Sequence, residues 1–272
     1  MNPKTKALLD SAYADFHSKH QRNADPISLV HQYSKREDQE VVAFLTALLS
    51  YGNVTTILIS ANKLLAALGP NPFREIKRRE VWPELQGFKH RFTTGQDIQV
   101  VVSWLKTMFS THASLEAFFN DSHCSTDAPL KDRLSDFVRR FKSQPLPSEL
   151  SQTAKARERN LKYLISDPYQ GSACKRLNMF LRWVVRDSDP IDLGLWKSPQ
   201  KHQLMLPIDT HLLQTLHFLR WTKSKQANWR VVEQATEKLR QYAPEDPIRY
   251  DFALCHLSMS GQSLKKYLER EN

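Results

Sequence analysis

Apolar residues recur at the spacing of an α-helix along most of this chain, and that spacing limits its fold more than any other feature. One stripe runs from Leu8 to Phe16. A second runs from Val41 to Leu49, with apolar residues at i, i+3, i+4, i+7 and i+8. We find no alternating segment with the turn signals of a β-hairpin. The pattern predicts an all-α fold.

Signals for helix starts and for loops agree with this fold. Asp25 before Pro26, Thr94, and Asp246 before Pro247 each place a capping side chain where a helix is expected to begin. Prolines and small polar residues in segments 143–150 and 187–207 predict the long connections.

Composition excludes several classes of cofactor site. With 7 glycines in 272 residues, the chain has no glycine-rich phosphate loop. The cysteines Cys124, Cys174 and Cys255 are too few and too scattered for a disulfide framework, a four-thiolate zinc site or an iron-sulfur cluster. We therefore expect no metal and no cofactor.

The charge of the chain favours a polyanionic partner. Lysine and arginine number 39 against 29 aspartates and glutamates, a net charge of +10, and they are scattered along the whole sequence. Such a surface attracts nucleic acid first and membrane headgroups second, although it is also compatible with a generally basic protein. No segment has the apolar length of a signal peptide or a membrane span, so a cytoplasmic protein without a membrane partner is expected.

The segment DPYQGSACKRLNMFLRWVV, residues 167–185, places a lysine just inside the start of a helix. Lys175 shares one helix face with Asn178, Arg182 and Arg186, away from the apolar side, which predicts that this face lies outside the core. A helix is also expected before the Gly171 turn, so the two would form an αα-hairpin whose second N-terminus suits a phosphate. Such turns are usually plain connections, and such lysines are usually solvated.

A second polar residue begins the helix after the proline-containing connection. Asp209 follows Pro207 and precedes a leucine stripe, which predicts that it caps this helix. Capping alone would explain an aspartate at this position. Only its pairing with Lys175 suggests a chemical role.

Three segments of the chain resemble the helix-hairpin-helix base-excision DNA glycosylases. GSACKRLN at 171–178 is similar to the family's G-x-G-x-K hairpin, and IDTH at 208–211 is similar to its V-D-T-H segment. FLTALLSYGNVT at 44–55 is similar to the segment before the family's strand-inserting wedge. The second hairpin glycine is replaced by Ala173, and no cysteine cluster follows. With the wide spacing from Lys175 to Asp209, this combination looks most like the archaeal 8-oxoguanine glycosylase branch.

The resemblance implies an architecture and an activity. It implies two helical lobes, residues 22–200 with the hairpin and residues 1–21 with 201–272, and a DNA-binding cleft between them. The activity implied is that of a DNA glycosylase, with AP lyase activity, that excises an oxidised base, 8-oxoguanine favoured. Its partner would be double-stranded DNA containing the damaged base. The protein would act as a monomer associated with the nucleoid.

The same resemblance assigns Lys175 and Asp209 as the catalytic pair. Lys175 would attack the sugar as a neutral amine, so we expect its pKa to be lowered by burial or by cations such as Arg176 and Arg182. Asp209 would remain ionised and stabilise positive charge on the sugar.

Further residues are expected to contact DNA or the flipped base. They are Gln32, Tyr51, Asn53, Ser172, Cys174, Arg176, Arg182, His211, Asp251 and Phe252. Ordinary structural roles remain open for several of them: a turn for Tyr51 and Asn53, surface for Gln32, and the core for Phe252, Cys174 and His211.

Two alternatives to an enzyme remain open at this point. Basic clusters at 74–79, 89–91, 155–162 and 175–186 would supply phosphate contacts in a non-catalytic helix-hairpin-helix nucleic-acid-binding protein as well as in a glycosylase. A helical scaffold that binds other proteins is the third possibility. A scaffold does not explain why the motifs at 171–178 and 208–211 occur in the same order as in the glycosylases.

Overall fold

A computed structural model describes residues 2–259, and the described chain is mostly helical, as the apolar spacing predicts. The chain divides into two compact units. Unit 1 comprises the described parts of Met1–Asp25 and Gly171–Asn272, and unit 2 comprises Pro26–Gln170. Each unit is described below by itself.

The units differ in their boundary from the lobes expected at residues 22–200. Residues 171–200 belong with the two ends of the chain, because the helix that begins at Lys175 is bound there by ion pairs. Arg182 binds Asp251, and Arg186 binds Asp246. These partners lie more than fifty residues further along the chain, so apolar periodicity could not reveal them.

Unit 1 contains two helices near the N-terminus and four after residue 170. They are α1 (Pro3–Phe16), α2 (Lys19–Arg22), α11 (Lys175–Val185), α12 (Thr210–Phe218), α13 (Trp229–Arg240) and α14 (Asp251–Met259). Helix α1 contacts α14. The buried residues of α1 are Leu8, Leu9 and Ala12. The predicted connection at 187–207 is confirmed as a stretch with only a short 3-10 turn, Lys201–Gln203.

Unit 2 is built around α3, whose apolar side chains are fully buried. Its α-helices are α3 (Arg36–Leu49), α4 (Val54–Leu68), α5 (Pro72–Arg78), α6 (Gly95–Thr111), α7 (Leu115–Asn120), α8 (Leu130–Lys142), α9 (Ser148–Ala156) and α10 (Glu158–Leu164). Phe44 of α3 meets the rings of Phe137 and Phe141 on α8, with centroids 6.2 and 5.5 Å away. The break predicted at 143–150 lies between α8 and α9 but is shorter than expected, because α9 begins at Ser148.

One predicted helix start in unit 2 is confirmed and one is modified. Thr94 and Asp97 form a capping box at the start of α6, and the buried Asp97 carboxylate also accepts hydrogen bonds from Arg157 at 2.6 and 2.8 Å. After Asp25 the chain forms a 3-10 helix, Pro26–Gln32, in place of an α-helix. Two further 3-10 turns are Pro83–Leu85 and Pro168–Gln170.

A short hairpin in unit 2 was not predicted. Strands β1 (Lys89–His90) and β2 (Thr93–Thr94) pair antiparallel, with Lys89 opposite Thr94. Two residues per strand are too few to produce the alternation by which a strand is recognised in a sequence. Between residues 2 and 259, no helix is long and apolar enough to span a membrane.

Candidate active site

Lys175 and Asp209, 34 positions apart in the sequence, meet in unit 1. The Nζ atom of Lys175 lies 3.1 Å from Oδ2 of Asp209, with their side chains 30% and 19% exposed. Lys175 is the first residue of α11, and Asp209 is the N-cap of α12. The two helix starts therefore place an amine and a carboxylate together in a position that solvent still reaches.

Asp209 uses its two oxygens for two different contacts. Oδ1 accepts a hydrogen bond of 2.8 Å from the backbone N–H of Leu212, while Oδ2 accepts one from Lys175. The first contact confirms the predicted helix cap. Because the cap holds the carboxylate in a defined orientation, the second oxygen faces the lysine.

The chain before Lys175 has an unusual backbone. Gly171 has a φ of +80°, which a glycine adopts without strain, whereas Cys174 has a φ of +47°, which is uncommon for a side chain of its type. Residues in this region of φ often lie at functional sites. Trp229 donates its backbone N–H to the carbonyl of Gly171 at 3.2 Å, so the start of α13 holds this turn in place.

The charge state expected for Lys175 is wrong for the protein without bound DNA. Burial by itself would lower the pKa of Lys175, but the negative charge of Asp209, its hydrogen bond to the lysine and the negative charge of Asp251 raise it above its usual 10.5. Arg176 and Arg182 do not reverse this. The lysine is an ammonium ion in this structure.

Asp209 has the charge state that was predicted. Burial would raise its pKa, but the positive charge of Lys175, the Leu212 N–H and the Lys175 hydrogen bond together lower it below the usual 3.8. The pair is therefore an ion pair at neutral pH.

The prediction that the polar face of α11 lies outside the core is also wrong. Arg182 and Arg186 are buried and form ion pairs with four aspartates of the same unit, namely Asp189, Asp192, Asp246 and Asp251. Asn178 is buried as well, and its amide donates to the carbonyl of Ala173 at 3.1 Å. The sequence predicted a solvated face, because most of the aspartates that pair with these arginines come later in the chain and cannot be identified from α11 itself.

This burial changes the roles expected of Arg176 and Arg182. Both are among the buried residues, and Arg182 is hydrogen-bonded to Asp192 and Asp251. The phosphate contacts expected of Arg182 are contradicted here, because a guanidinium enclosed by two carboxylates is not available to DNA. Arg176 is also largely buried, with 9% of its surface exposed.

Asp251 and Phe252 lie at the start of α14, and Asp246 does not open that helix as expected. Four turn residues separate Asp246 from α14, and its carboxylate binds Arg186 instead. Burial raises the pKa of Asp251, although Arg182 opposes the shift. Phe252 is a core ring, edge-on to His17 at 5.6 Å, so the ordinary structural role left open for it is the one observed.

Cys255 is a neighbour of the pair that sequence reasoning missed. Burial raises the pKa of its thiol, and the charges of Asp209 and Asp251 raise it further while Lys175 opposes them. Cys255 therefore remains protonated at neutral pH. Cys255 could have been predicted from the sequence, because it lies one helical turn after Asp251, which was already a predicted site residue.

The remaining predicted residues of unit 1 surround the turn or face solvent. Ser172 accepts a hydrogen bond of 3.1 Å from the backbone of Cys174 and forms a single β-bridge with Asn228. The side chain of Cys174 is buried, and His211, in the first turn of α12, is exposed. Ser172 thus shapes the turn, and His211 faces solvent.

Three predicted residues, Gln32, Tyr51 and Asn53, belong to unit 2. Asn53 caps α4 by accepting from the backbone N–H of Thr55 at 2.9 Å. The Tyr51 hydroxyl donates to the carbonyl of His90 at 2.8 Å. Gln32 ends the 3-10 helix and is exposed.

Residues 25–260 match a family described as a protein of unknown function (DUF2400). The chain belongs to the DUF2400 family. Comparisons with curated proteins and with solved structures found no match.

The match to DUF2400 includes all the residues of the candidate site. Lys175, Asp209, Asp251 and Cys255 lie inside it, whereas α1 precedes it. Among the described residues of this DUF2400 chain, no group of three or more histidine, cysteine or acidic side chains is arranged to hold a metal ion.

Proposed function

We propose that this protein is a DNA N-glycosylase with AP lyase activity that excises an oxidised base, 8-oxoguanine favoured, through a Schiff base on Lys175. The observation that carries the proposal is the distance of 3.1 Å between Lys175 Nζ and Asp209 Oδ2. These are the two residues that the resemblance to the helix-hairpin-helix glycosylases selects. The net charge of +10 suits double-stranded DNA as the substrate.

The first step requires a neutral amine, so the Lys175 ammonium has to lose a proton. The Asp209 carboxylate is the acceptor that lies within hydrogen-bonding distance. Burial is the largest influence on the pKa of Lys175, and it favours the neutral amine. Bound DNA that excludes further water from the site would strengthen that influence until proton transfer is possible.

The neutral amine then attacks the anomeric carbon of a nucleotide flipped out of the duplex. The Nζ–C1′ bond forms as the bond from C1′ to the base breaks. The base leaves with that electron pair and takes the proton that Asp209 had accepted, which returns Asp209 to a carboxylate. Opening of the sugar moves a proton from nitrogen to the ring oxygen and leaves the C=N bond of the Schiff base. Loss of a C2′ proton then expels the 3′ phosphate, which is the lyase step.

Asp209 has a second role once the base begins to leave. Positive charge develops at C1′ and on the ring oxygen, and a carboxylate held by its helix cap stabilises that charge without reorganising. The same residue is therefore suited to accept the lysine proton early and to stabilise the sugar cation later.

A borohydride trapping assay tests the proposal. Wild type and Lys175→Gln are incubated with duplexes that carry a panel of oxidised bases, and borohydride reduces any Schiff base to a stable adduct. We expect an adduct with wild type and none with Lys175→Gln. Lys6→Gln is the matched control, because Lys6 also pairs with an aspartate, Asp10, in the same unit. A panel without any lysine-dependent adduct would refute the glycosylase assignment.

A non-catalytic nucleic-acid-binding protein is the second candidate, and the raised pKa of Lys175 favours it. A permanent ammonium at the start of α11 would bind a phosphate but would not attack a sugar. This candidate predicts that Asp209→Asn keeps its affinity for DNA and that binding shows no preference for a lesion. Titrations of intact and lesion-containing duplexes at two salt concentrations separate the two candidates.

A further inference from the structure

An exposed group of aromatic rings lies in unit 2 at the tip of the β1–β2 hairpin. Phe92 is 61% exposed and Tyr163 of α10 is 46% exposed, although both are large hydrophobic residues. Their ring centroids are 6.0 Å apart at 88°, and Tyr163 also meets Tyr51 edge-on at 5.4 Å. Rings are normally covered by the core, so this arrangement leaves aromatic surface available to a ligand.

The rings border a cavity of about 410 Å³. Its lining is Phe92, Thr93, Arg159, Asn160 and Tyr163. The amide of Asn160 donates to the carbonyl of Phe92 at 2.9 Å and so joins α10 to the hairpin. The Tyr51 hydroxyl contacts Thr93 Oγ1 at 2.9 Å on the other side. These hydrogen bonds hold the aromatic wall of the cavity in place before any ligand binds.

Two arginines supply positive charge beside the rings. The guanidinium of Arg91 lies 5.6 Å from the ring centre of Phe92, and Arg159 lines the cavity. Both are exposed, and within residues 2–259 neither forms a salt bridge. Among the described residues that line the cavity, none is acidic. A ligand with flat rings and negative charges fits this combination.

We propose that the cluster of Tyr51, Arg91, Phe92, Arg159 and Tyr163 is a binding site for single-stranded nucleic acid. An unpaired base stacks on Phe92 and Tyr163 at the cavity, and Arg91 and Arg159 bind the flanking phosphates. A duplex hides the faces of its bases within the stack, so the site favours unpaired strands. An acidic peptide would use the arginines but would leave the aromatic wall without a stacking partner.

This site is independent of the proposed function. Binding a single strand requires no chemistry at Lys175, and the five residues all belong to unit 2. A binding measurement on the site therefore gives the same result whether the protein is a glycosylase or not.

Fluorescence anisotropy with a labelled oligothymidylate strand tests the site. We expect Phe92→Ala and Tyr163→Ala each to weaken binding by about tenfold or more, the usual loss when one stacking ring is removed. Tyr169→Ala is the matched control: Tyr169 is another exposed ring in unit 2, with Lys131 at 4.7 Å from its centre, but it does not line the cavity. The affinity of Tyr169→Ala for the strand should lie within twofold of the wild-type affinity.

Two further measurements keep the test decisive. Phe92→Leu retains an apolar side chain but removes the ring, so it should weaken binding as Phe92→Ala does while leaving the thermal unfolding curve unchanged. Arg91→Gln with Arg159→Gln should reduce the dependence of affinity on salt. Equal affinities for wild type, Phe92→Ala and Tyr169→Ala would overturn the proposal. So would a matched duplex that binds as tightly as the single strand and loses as much affinity on Phe92→Ala.

Discussion

Arg186 at the end of α11 binds the carboxylate of Asp246, 60 positions later in the chain, through contacts of 2.9 to 3.1 Å. Its guanidinium also pairs with Asp189 and Asp192 and is buried among them. This arginine therefore joins the helix that carries Lys175 to the turn that leads into α14. The position of the candidate catalytic lysine depends on an ion cluster that lies behind it.

Replacing Arg186 should destabilise the protein far more than replacing an exposed arginine. Arg186→Met removes the cation that Asp189, Asp192 and the half-buried Asp246 share, and breaking a buried pair in this way costs about 3–5 kcal/mol. Arg78→Met is the control, since its pair with Glu75 is exposed and should contribute little. Urea unfolding curves measure both changes. Similar midpoints for the two variants would show that the cluster does not stabilise the fold.

The cap formed by Asp209 can be separated from its ion pair in a Lys175→Gln background. There, Asp209→Asn should have nearly the stability of the parent, because asparagine caps a helix as well as aspartate does. Asp209→Ala should lose about 1 kcal/mol with the cap. Thermal or urea unfolding measures the difference. Equal stability of the Asp209→Ala and Asp209→Asn variants would show that the contact with the Leu212 N–H does not stabilise the fold.

The ion pair should give the difference in stability between wild type and Asp209→Asn a pH optimum. The pKa of Asp209 is lowered in the folded state, so its contribution is present above 3.8 and is lost as the pH falls through the folded value. The pKa of Lys175 is raised, so its contribution is present below 10.5 and is lost as the pH rises through the folded value. The free energies of unfolding of wild type and Asp209→Asn should therefore differ most at pH values between the folded-state pKa of Asp209 and that of Lys175. A difference that does not change with pH would contradict the pairing.

The reactivity of Lys175 should report its protonation state directly. Asp209→Asn removes the main partner that raises its pKa and leaves burial, which lowers it, so more of the amine should be neutral at about pH 8. We expect Lys175 to be acylated several times faster in Asp209→Asn than in wild type, measured by peptide mapping. Lys6 is the internal control, because its partners Asp10 and Tyr250 are unchanged. A slower reaction at Lys175 would reverse the assigned direction of the pKa shift.

Local signals in the sequence predicted much of the secondary structure. The stripe from Val41 to Leu49, the capping box at Thr94 and the cap at Asp209 were all recognisable, because each depends on residues within a few positions of one another. The β1–β2 hairpin was missed for a related reason, since two residues per strand do not produce a period.

The candidate site was predicted only in part. The ordered motifs selected Lys175 and Asp209, but not the environment that sets their charge. Arg182 was taken for a DNA contact and is instead enclosed by Asp192 and Asp251. Nothing in the sequence near Arg182 indicates which distant carboxylates it will meet.

The helical class and the helix starts at Thr94 and Asp209 could be read from the amino-acid sequence, because they follow from periodicity and from contacts within one helical turn. Lys175 and Asp209 were selected by ordered motifs, but their ion pair and the burial of Arg182 and Arg186 became visible in the folded chain. The tertiary structure also decided that Phe92 and Tyr163 stand exposed together. Charge state and exposure depend on the sum of all neighbours in space, and most of those neighbours lie far apart in the chain.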